Sequence, residues 1–187
     1  LYAINYLANP EGHDVGETVA VIGAGNTAVD VARTCLRNGA RNVTLYARGT
    51  KIRATEEEVA YAKLDGAEFK FCRQICEIND EGPVFKLAII DDEGNTTGYA
   101  DELEQEKADT TIIAISQSPK DKLLNTTEGL KGSEKGFLIT DENGKTTCEK
   151  VYASGDVVLG ARTVVEAVAF SKKVAKAMDD DMRSERK

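Results

Sequence analysis

The stretch that most limits what this chain can become is Thr18–Arg33, TVAVIGAGNTAVDVAR. Val19, Ala20, Val21 and Ile22 form a short apolar run of strand type, and Gly23-Ala24-Gly25-Asn26-Thr27-Ala28 follows it directly. Apolar residues at helical spacing come next, at Ala28, Val31, Ala32, Cys35 and Leu36. Strand, glycine turn, helix is the order in which a GxGxxA sequence can hold a dinucleotide. Gly23 permits the tight turn, Gly25 lacks the Cβ that would block a pyrophosphate, and Ala28 lets helix and strand pack closely. The N–H groups at the helix start would then receive the phosphates. Glycine turns also serve plain packing, so the turn alone is weak evidence. Its flanks strengthen it.

Around this unit the chain reads as alternating elements. Leu1–Leu7 resembles the tail of a helix, and Asn9–Gly16 is a loop by its Pro and Gly content. The first full helix ends at Gly39, and Asn42–Tyr46 is the second strand, closing a βαβ unit of the expected ~30 residues. Thr55-Glu56-Glu57-Glu58 predicts a capping box for a second helix that Gly66 closes. Ala67–Cys72 alternates as a third strand. Segments at 76–78, 84–90 and 96–99 then predict an antiparallel meander. Asp101–Lys107 reads as a charged loop, and Thr110–Ile115, apolar on both faces, as a central parallel strand. Further on, 137–148 predicts a hairpin and 151–154 a strand. A long helix from about Thr163 carries the stripe Val164, Val168, Ala175 and Met178, flanked by Val165 and Ala169, ahead of a charged tail.

An NAD site usually sets a carboxylate at the end of the second strand, ~20 residues past the glycines, to take the ribose 2′-OH. Here Leu45–Arg53 holds Arg48, Lys51 and Arg53 and no carboxylate, which suits a 2′-phosphate and hence NADP(H). These cations stand out in a chain of net charge −8, a balance that argues against nucleic acid or an anionic membrane as the partner. No apolar run approaches the ~18 residues of a membrane span. The four cysteines include no CxxC pair, and the one histidine is His13. That inventory predicts structural, reduced thiols in a cytoplasmic protein, with Cys148 in a strand, and no metal site. The chain starts on Leu1 rather than Met, which reads as a fragment of a longer protein.

Four blocks together resemble the pyridine-nucleotide half of two-dinucleotide flavoprotein oxidoreductases, the group of the glutamate synthase small subunit and part of dihydropyrimidine dehydrogenase. They are VIGAGNTAVDVAR (21–33), YARGTKIRATEEEVAYAKLDGAEF (46–69), AISQSP (114–119) and VYASGDVVLGARTVVEAVAFSKKVA (151–175). The resemblance implies an α/β fold. Its parts would be a Rossmann-like three-layer NAD(P)-binding domain with an antiparallel β-meander, and a partial FAD-binding segment. Residues 1–16 would end an upstream flavin-domain segment and linker, 17–118 would bind NADPH, and 119–187 would close the FAD domain and end in the tail.

The resemblance also distributes roles. Gly23, Ala24, Gly25, Asn26, Thr27, Ala28 and Asp30 would lie at the NADPH, with Arg48, Lys51 and Arg53 at its 2′-phosphate and Ile115, Ser116 and Gln117 at the returning strand end. Gly155 and Asp156 match a flavin ribityl and phosphate contact, and Thr163 and Val164 match a helix start facing the isoalloxazine. No residue is given a catalytic acid–base role. Ala47, Ser116, Ser154 and Ser171 depart from the pattern, standing where a basic residue or glycine is common. The implied function is hydride passage from NADPH to FAD, with electrons going on to an iron–sulfur or large-subunit partner. With no second fingerprint upstream of Leu1, the isolated chain is expected to retain no FAD and to be inactive. Two alternatives stay open: a non-catalytic NADP-binding or docking module, and a disulfide reductase whose redox cysteines lie outside this chain.

Overall fold

The computed structural model describes residues 1–115, 119 and 122–184. The chain divides into two compact units, Leu1–Ser116 and Gln117–Lys187.

In the first unit, β1 (Thr18–Ile22), β2 (Asn42–Tyr46), β3 (Glu68–Lys70) and β7 (Thr110–Ile113) form a parallel sheet in the order β3-β2-β1-β7. Helices α1 (Ala3–Ala8), α2 (Asn26–Arg37) and α3 (Glu56–Asp65) accompany it. Strands β4 (Arg73–Asn79), β5 (Gly82–Ile90) and β6 (Thr96–Gln105) make a separate antiparallel sheet in chain order. Alternation along the parallel strands sorts their side chains into two cores. Val19, Val21, Val43, Leu45 and Ile112 face Ala28, Val31, Ala32 and Cys35 of α2. On the opposite face Ala20, Ile22 and Tyr46 meet Phe85 of β5, whose ring stacks on Tyr46 with centroids 4.5 Å apart. Helices, parallel sheet and meander therefore lie in three layers, the meander itself being the layer on the second face. Lys70 at the end of β3 also pairs with Glu106 just past β6, joining the two sheets.

Two expectations for the first unit need correction. Thr110–Ile113 is an edge strand, not a central one. It is apolar on both faces because both faces are covered, and on its open side Ile113 donates to the Leu1 carbonyl while the Leu1 ammonium donates to Thr111. Asp101–Lys107 is no loop, since β6 runs through Gln105 and places its carboxylates along an outer strand. Residues 1–16 pack with the first unit, where Ala3, Tyr6 and Val15 enter the α2-side core.

The predicted cap of α3 is half present. Thr55 Oγ1 accepts from the Glu58 N–H at 3.4 Å, but the Glu58 carboxylate turns to Arg33 of α2. Arg33 also donates to Asp65 at 2.7 Å and lies over the Tyr61 ring, so α2 and α3 are joined by charge as well as by packing. Gly66 closes α3 in the left-handed region, as its position predicts. Thr55→Ala is expected to lower stability by about 1 kcal/mol, the usual cost of a lost N-cap, readable as a shifted urea midpoint at constant slope.

In the second unit the expected hairpin reduces to isolated bridges, Gly132 with Leu138 and Thr140 with Thr146, around a turn in which Asp141 accepts from Asn143 and Lys145. The strand expected at 151–154 is one bridge at Tyr152, and Cys148 lies in a bend rather than a strand. A short helix α4 (Lys122–Thr126), which no sequence signal announces, precedes them. Helices α5 (Asp156–Leu159) and α6 (Val164–Ser184) follow. The long helix is where the sequence puts it, but it turns another face inward. Val164, Val165, Val168, Ala169, Ala175 and Met178 are exposed, and the covered positions are Ala167, Phe170, Val174 and Ala177. No helix among the described residues is long and apolar enough to cross a membrane.

Candidate functional site

Ile22 pairs with both Tyr46 and Ile113, so β1, β2 and β7 end level. Gly23, Ala47 and Ala114 therefore leave the sheet together at its carboxyl edge, where open α/β sheets hold ligands.

The two glycines of the turn do different work. Gly23 has φ +140° and donates to the Tyr46 carbonyl at 3.0 Å. A Cβ there would lie 2.4 Å from the Ala114 carbonyl oxygen, so the fold itself demands glycine. Gly25 has φ −97° and ψ 178°, which any residue adopts, and a Cβ there would meet nothing within 4 Å. Protein packing places no demand on Gly25. What its missing side chain preserves is open space before the first turn of α2, the cradle a pyrophosphate needs. Ala28 is fully buried against the sheet, while Asn26 and Thr27 are exposed.

The loop after β2 is fastened to this turn through its main chain. Ala24 O accepts from the Arg53 N–H at 2.8 Å and the Ala54 N–H at 3.1 Å, and Asn26 Oδ1 accepts from the Thr55 N–H at 3.1 Å. Further along, Gly49 O accepts from Cys72, and Thr50 Oγ1 donates to Gly94 O. Arg48, Lys51 and Arg53 are exposed on this fixed loop, and no ion pair among the described residues involves them. Elsewhere the guanidinium groups of Arg33, Arg37, Arg41, Arg73, Arg162 and Arg183 all have carboxylates. Three cations without carboxylates, in a chain of net charge −8, make a place suited to an anion.

The structure thus brings Gly23–Ala28, the Arg48–Arg53 loop and Ile115 to one edge. Ile115 is 62% exposed just past β7. Ser116 and Gln117 lie outside the described residues. Asp30 sits one turn into α2. Although much of its surface is open, partial burial pushes its carboxyl up, Glu58 adds to the rise and Arg33 opposes it. Of the departures, Ala47 is buried and held by main-chain bonds to Lys70 and Arg73. Sequence reasoning misses the Asn26–Thr55 bond, because nothing in the pattern links positions 29 apart.

The remaining four residues belong to the second unit. Gly155, with φ +73°, starts α5, and Asp156 follows it. Asp156, Thr163, Val164, Ala167, Val168 and Ser171 line an open groove of about 610 Å³, in which Val164, Ala167 and Val168 form an apolar stretch of α6. Thr163 and Glu166 form a capping box. The Glu166 N–H donates to Thr163 Oγ1 at 3.3 Å, and the Glu166 carboxylate accepts from the Thr163 N–H and hydroxyl. Those bonds, with Arg162 alongside, hold the Glu166 carboxyl below the usual range. The Thr163 N–H is thereby engaged within the chain. Ser154 and Ser171, two of the departures, hydrogen-bond each other at 2.8 Å.

The chain is 31% identical over 183 residues to the glutamate synthase [NADPH] small chain of Halomonas elongata, covering 88% of this chain and 38% of that protein. It is 33% identical over 184 residues to the NADP(+)-dependent formate dehydrogenase subunit beta of Moorella thermoacetica, covering 90% and 25%. The chain thus spans well under half the length of these relatives. Among solved structures, T. acidophilum thioredoxin reductase matches with a TM-score of 0.72 and 25% identity over 90% of this chain and 53% of that one. Lactococcus lactis thioredoxin reductase, at 22% identity, shares the fold with the same TM-score over 94% and 55%. Residues 3–171 match the pyridine nucleotide-disulphide oxidoreductase family, and the chain belongs to it.

Proposed function

We propose that this chain binds NADPH through residues 17–118 and supplies, through 119–187, part of a flavin site, so that the protein carrying it passes a hydride from NADPH to FAD. The observation that carries the reading is the loop of Arg48, Lys51 and Arg53, without carboxylate partners and fastened to the glycine turn at the sheet's carboxyl edge. The open space before Gly25 fits a pyrophosphate, and the loop cations fit a 2′-phosphate. Asp156 could accept from sugar-chain hydroxyls in its groove, while Val164 and Ala167 offer an apolar wall to a flat ring. When bound, the nicotinamide supplies the hydride and the flavin accepts it. No side chain need donate or take a proton for that step, so the protein's work is to bind and orient. Two relatives are a small chain and a beta subunit, which supports a further subunit as the next electron acceptor.

Titration of NADPH and NADH into the chain, followed by nicotinamide fluorescence, tests the reading. Clear preference for NADPH is expected. Raising the salt from about 0.05 to about 0.5 M should weaken NADPH more than NADH, because exposed charge pairs are screened. Equal affinities would end it. A disulfide-reducing parent is the second reading, favoured by the family and by the thioredoxin reductase likeness. Since the four cysteines Cys35, Cys72, Cys76 and Cys148 include no CxxC pair, its redox pair would come from outside these residues.

A further inference from the structure

Three consecutive amides of the cation loop, those of Arg53, Ala54 and Thr55, donate into the turn that the fingerprint builds. Two of them share the Ala24 main-chain carbonyl, which any residue at that position would supply. The third goes to the side chain of Asn26. It is the one tie of the three that the sequence encodes in a side chain.

The position of Asn26 is suited to this. Gly25 precedes α2 and has no side chain with which to cap it, and Asn26, the first residue of the helix, reaches across to the start of α3 instead. Thr55 spends its hydroxyl capping α3 at Glu58 and turns its own N–H to Asn26. Two helix starts and the loop between them are thereby locked into one frame. An aspartate could accept the same hydrogen bond, but it would set a negative charge where phosphates must come. Asparagine supplies the acceptor without the charge.

Resting on the reading of this edge as an NADPH site, we infer that Asn26 is a positioning residue for cofactor choice. It holds the Arg48–Arg53 loop in register with the glycine turn, so that cations and pyrophosphate cradle act on one nucleotide. A side chain that merely stabilised the fold would affect both nucleotides alike. One that positions the cations acts on NADPH alone.

The test titrates wild type, Asn26→Ala, Thr55→Pro, Thr55→Ala and the Asn26→Ala/Thr55→Pro double variant with NADPH and NADH. Thr55 has φ −65°, which proline fixes, so Thr55→Pro deletes the donor with little change of backbone. Thr55→Ala removes the hydroxyl cap and keeps the N–H. Asn26→Ala should weaken NADPH about fivefold, the scale of one net hydrogen bond, and move NADH less than about twofold. The salt dependence of NADPH binding should flatten with it. Thr55→Pro should reproduce the selective loss, and Thr55→Ala, which shares only its loss of the cap, should not. The double variant should lose no more than Thr55→Pro, since both singles delete the same Asn26–Thr55 bond. Equal losses for the two nucleotides, or additive losses in the double variant, would overturn the inference. Should Asn26→Ala fail to fold, Thr55→Pro against Thr55→Ala makes the same distinction. A wild type without NADPH preference would remove the underlying reading and the inference with it, whereas a preference that survives Asn26→Ala removes the inference alone.

Discussion

Gly25→Val is expected to weaken NADPH and NADH alike by about a hundredfold and to leave the chain folded. The loss is about 3 kcal/mol, the upper range for forcing methyl groups into space that must be filled by something else. Valine is comfortable at φ −97°, ψ 178°, and its Cβ meets no protein atom within 4 Å. Its branches would stand in the space before α2, where the pyrophosphate must approach the main chain. Stability should change by no more than about 0.5 kcal/mol, as for other surface substitutions. Gly23→Ala should behave in the opposite way. Its φ of +140° and the Ala114 oxygen 2.4 Å from the new Cβ place the cost on the fold, at about 2 kcal/mol or more. Urea melts and nucleotide titrations of both variants separate the two roles. Unchanged affinity in Gly25→Val would take the turn out of the site.

Arg53→Ala is expected to cost NADPH about 1.5–3 kcal/mol, the scale of a hydrogen bond to a charged group, and to leave NADH almost untouched. The reasoning is geometric as well as electrostatic. Arg53 donates its own N–H to Ala24, so the root of its side chain is fixed to the glycine turn whatever the rest of the loop does. A guanidinium so rooted loses less freedom on gripping a phosphate than one on a free loop, and its fork matches two phosphate oxygens at once. Arg48, two residues past β2, should show a loss of the same sign. Lys51, a point charge on a flexible stem, should show a smaller one. Titrating both nucleotides into wild type and Arg53→Ala decides the matter, and equal losses for the two would return the arginine to the solvated surface.

Where residues close in sequence make the structure, the pattern of residues is enough to find it. Thr18–Tyr46 is such a segment, since strand, turn, helix and strand contact their immediate neighbours, and each carries its own period. The cation loop is legible because three like charges in an acidic chain are a local fact. Longer connections are not. The apolar pattern of Thr110–Ile113 reports that both faces of the strand are covered, and a strand at a sheet edge between two layers satisfies that as well as a central one. Helix α6 has apolar residues around most of its circumference. The stripe Val164, Val168, Ala175 and Met178 suggests the wrong face, and only packing picks out Ala167, Phe170 and Val174. Pairings such as Ser154 with Ser171 join positions that no periodicity relates.

The carboxylates of β6 carry a consequence for how the chain behaves in a crowd. An outermost strand presents unpaired N–H and C=O groups, a template on which another polypeptide can assemble into fibre. Asp101, Glu102 and Glu104 stand within four residues of each other on this rim. Of these, Glu104 leans on Arg73. A second copy aligning along the rim would bring like charges to within about 5 Å across the new pair of strands. Like-charge repulsion therefore opposes such pairing at this margin. It fades as salt screens the carboxylates.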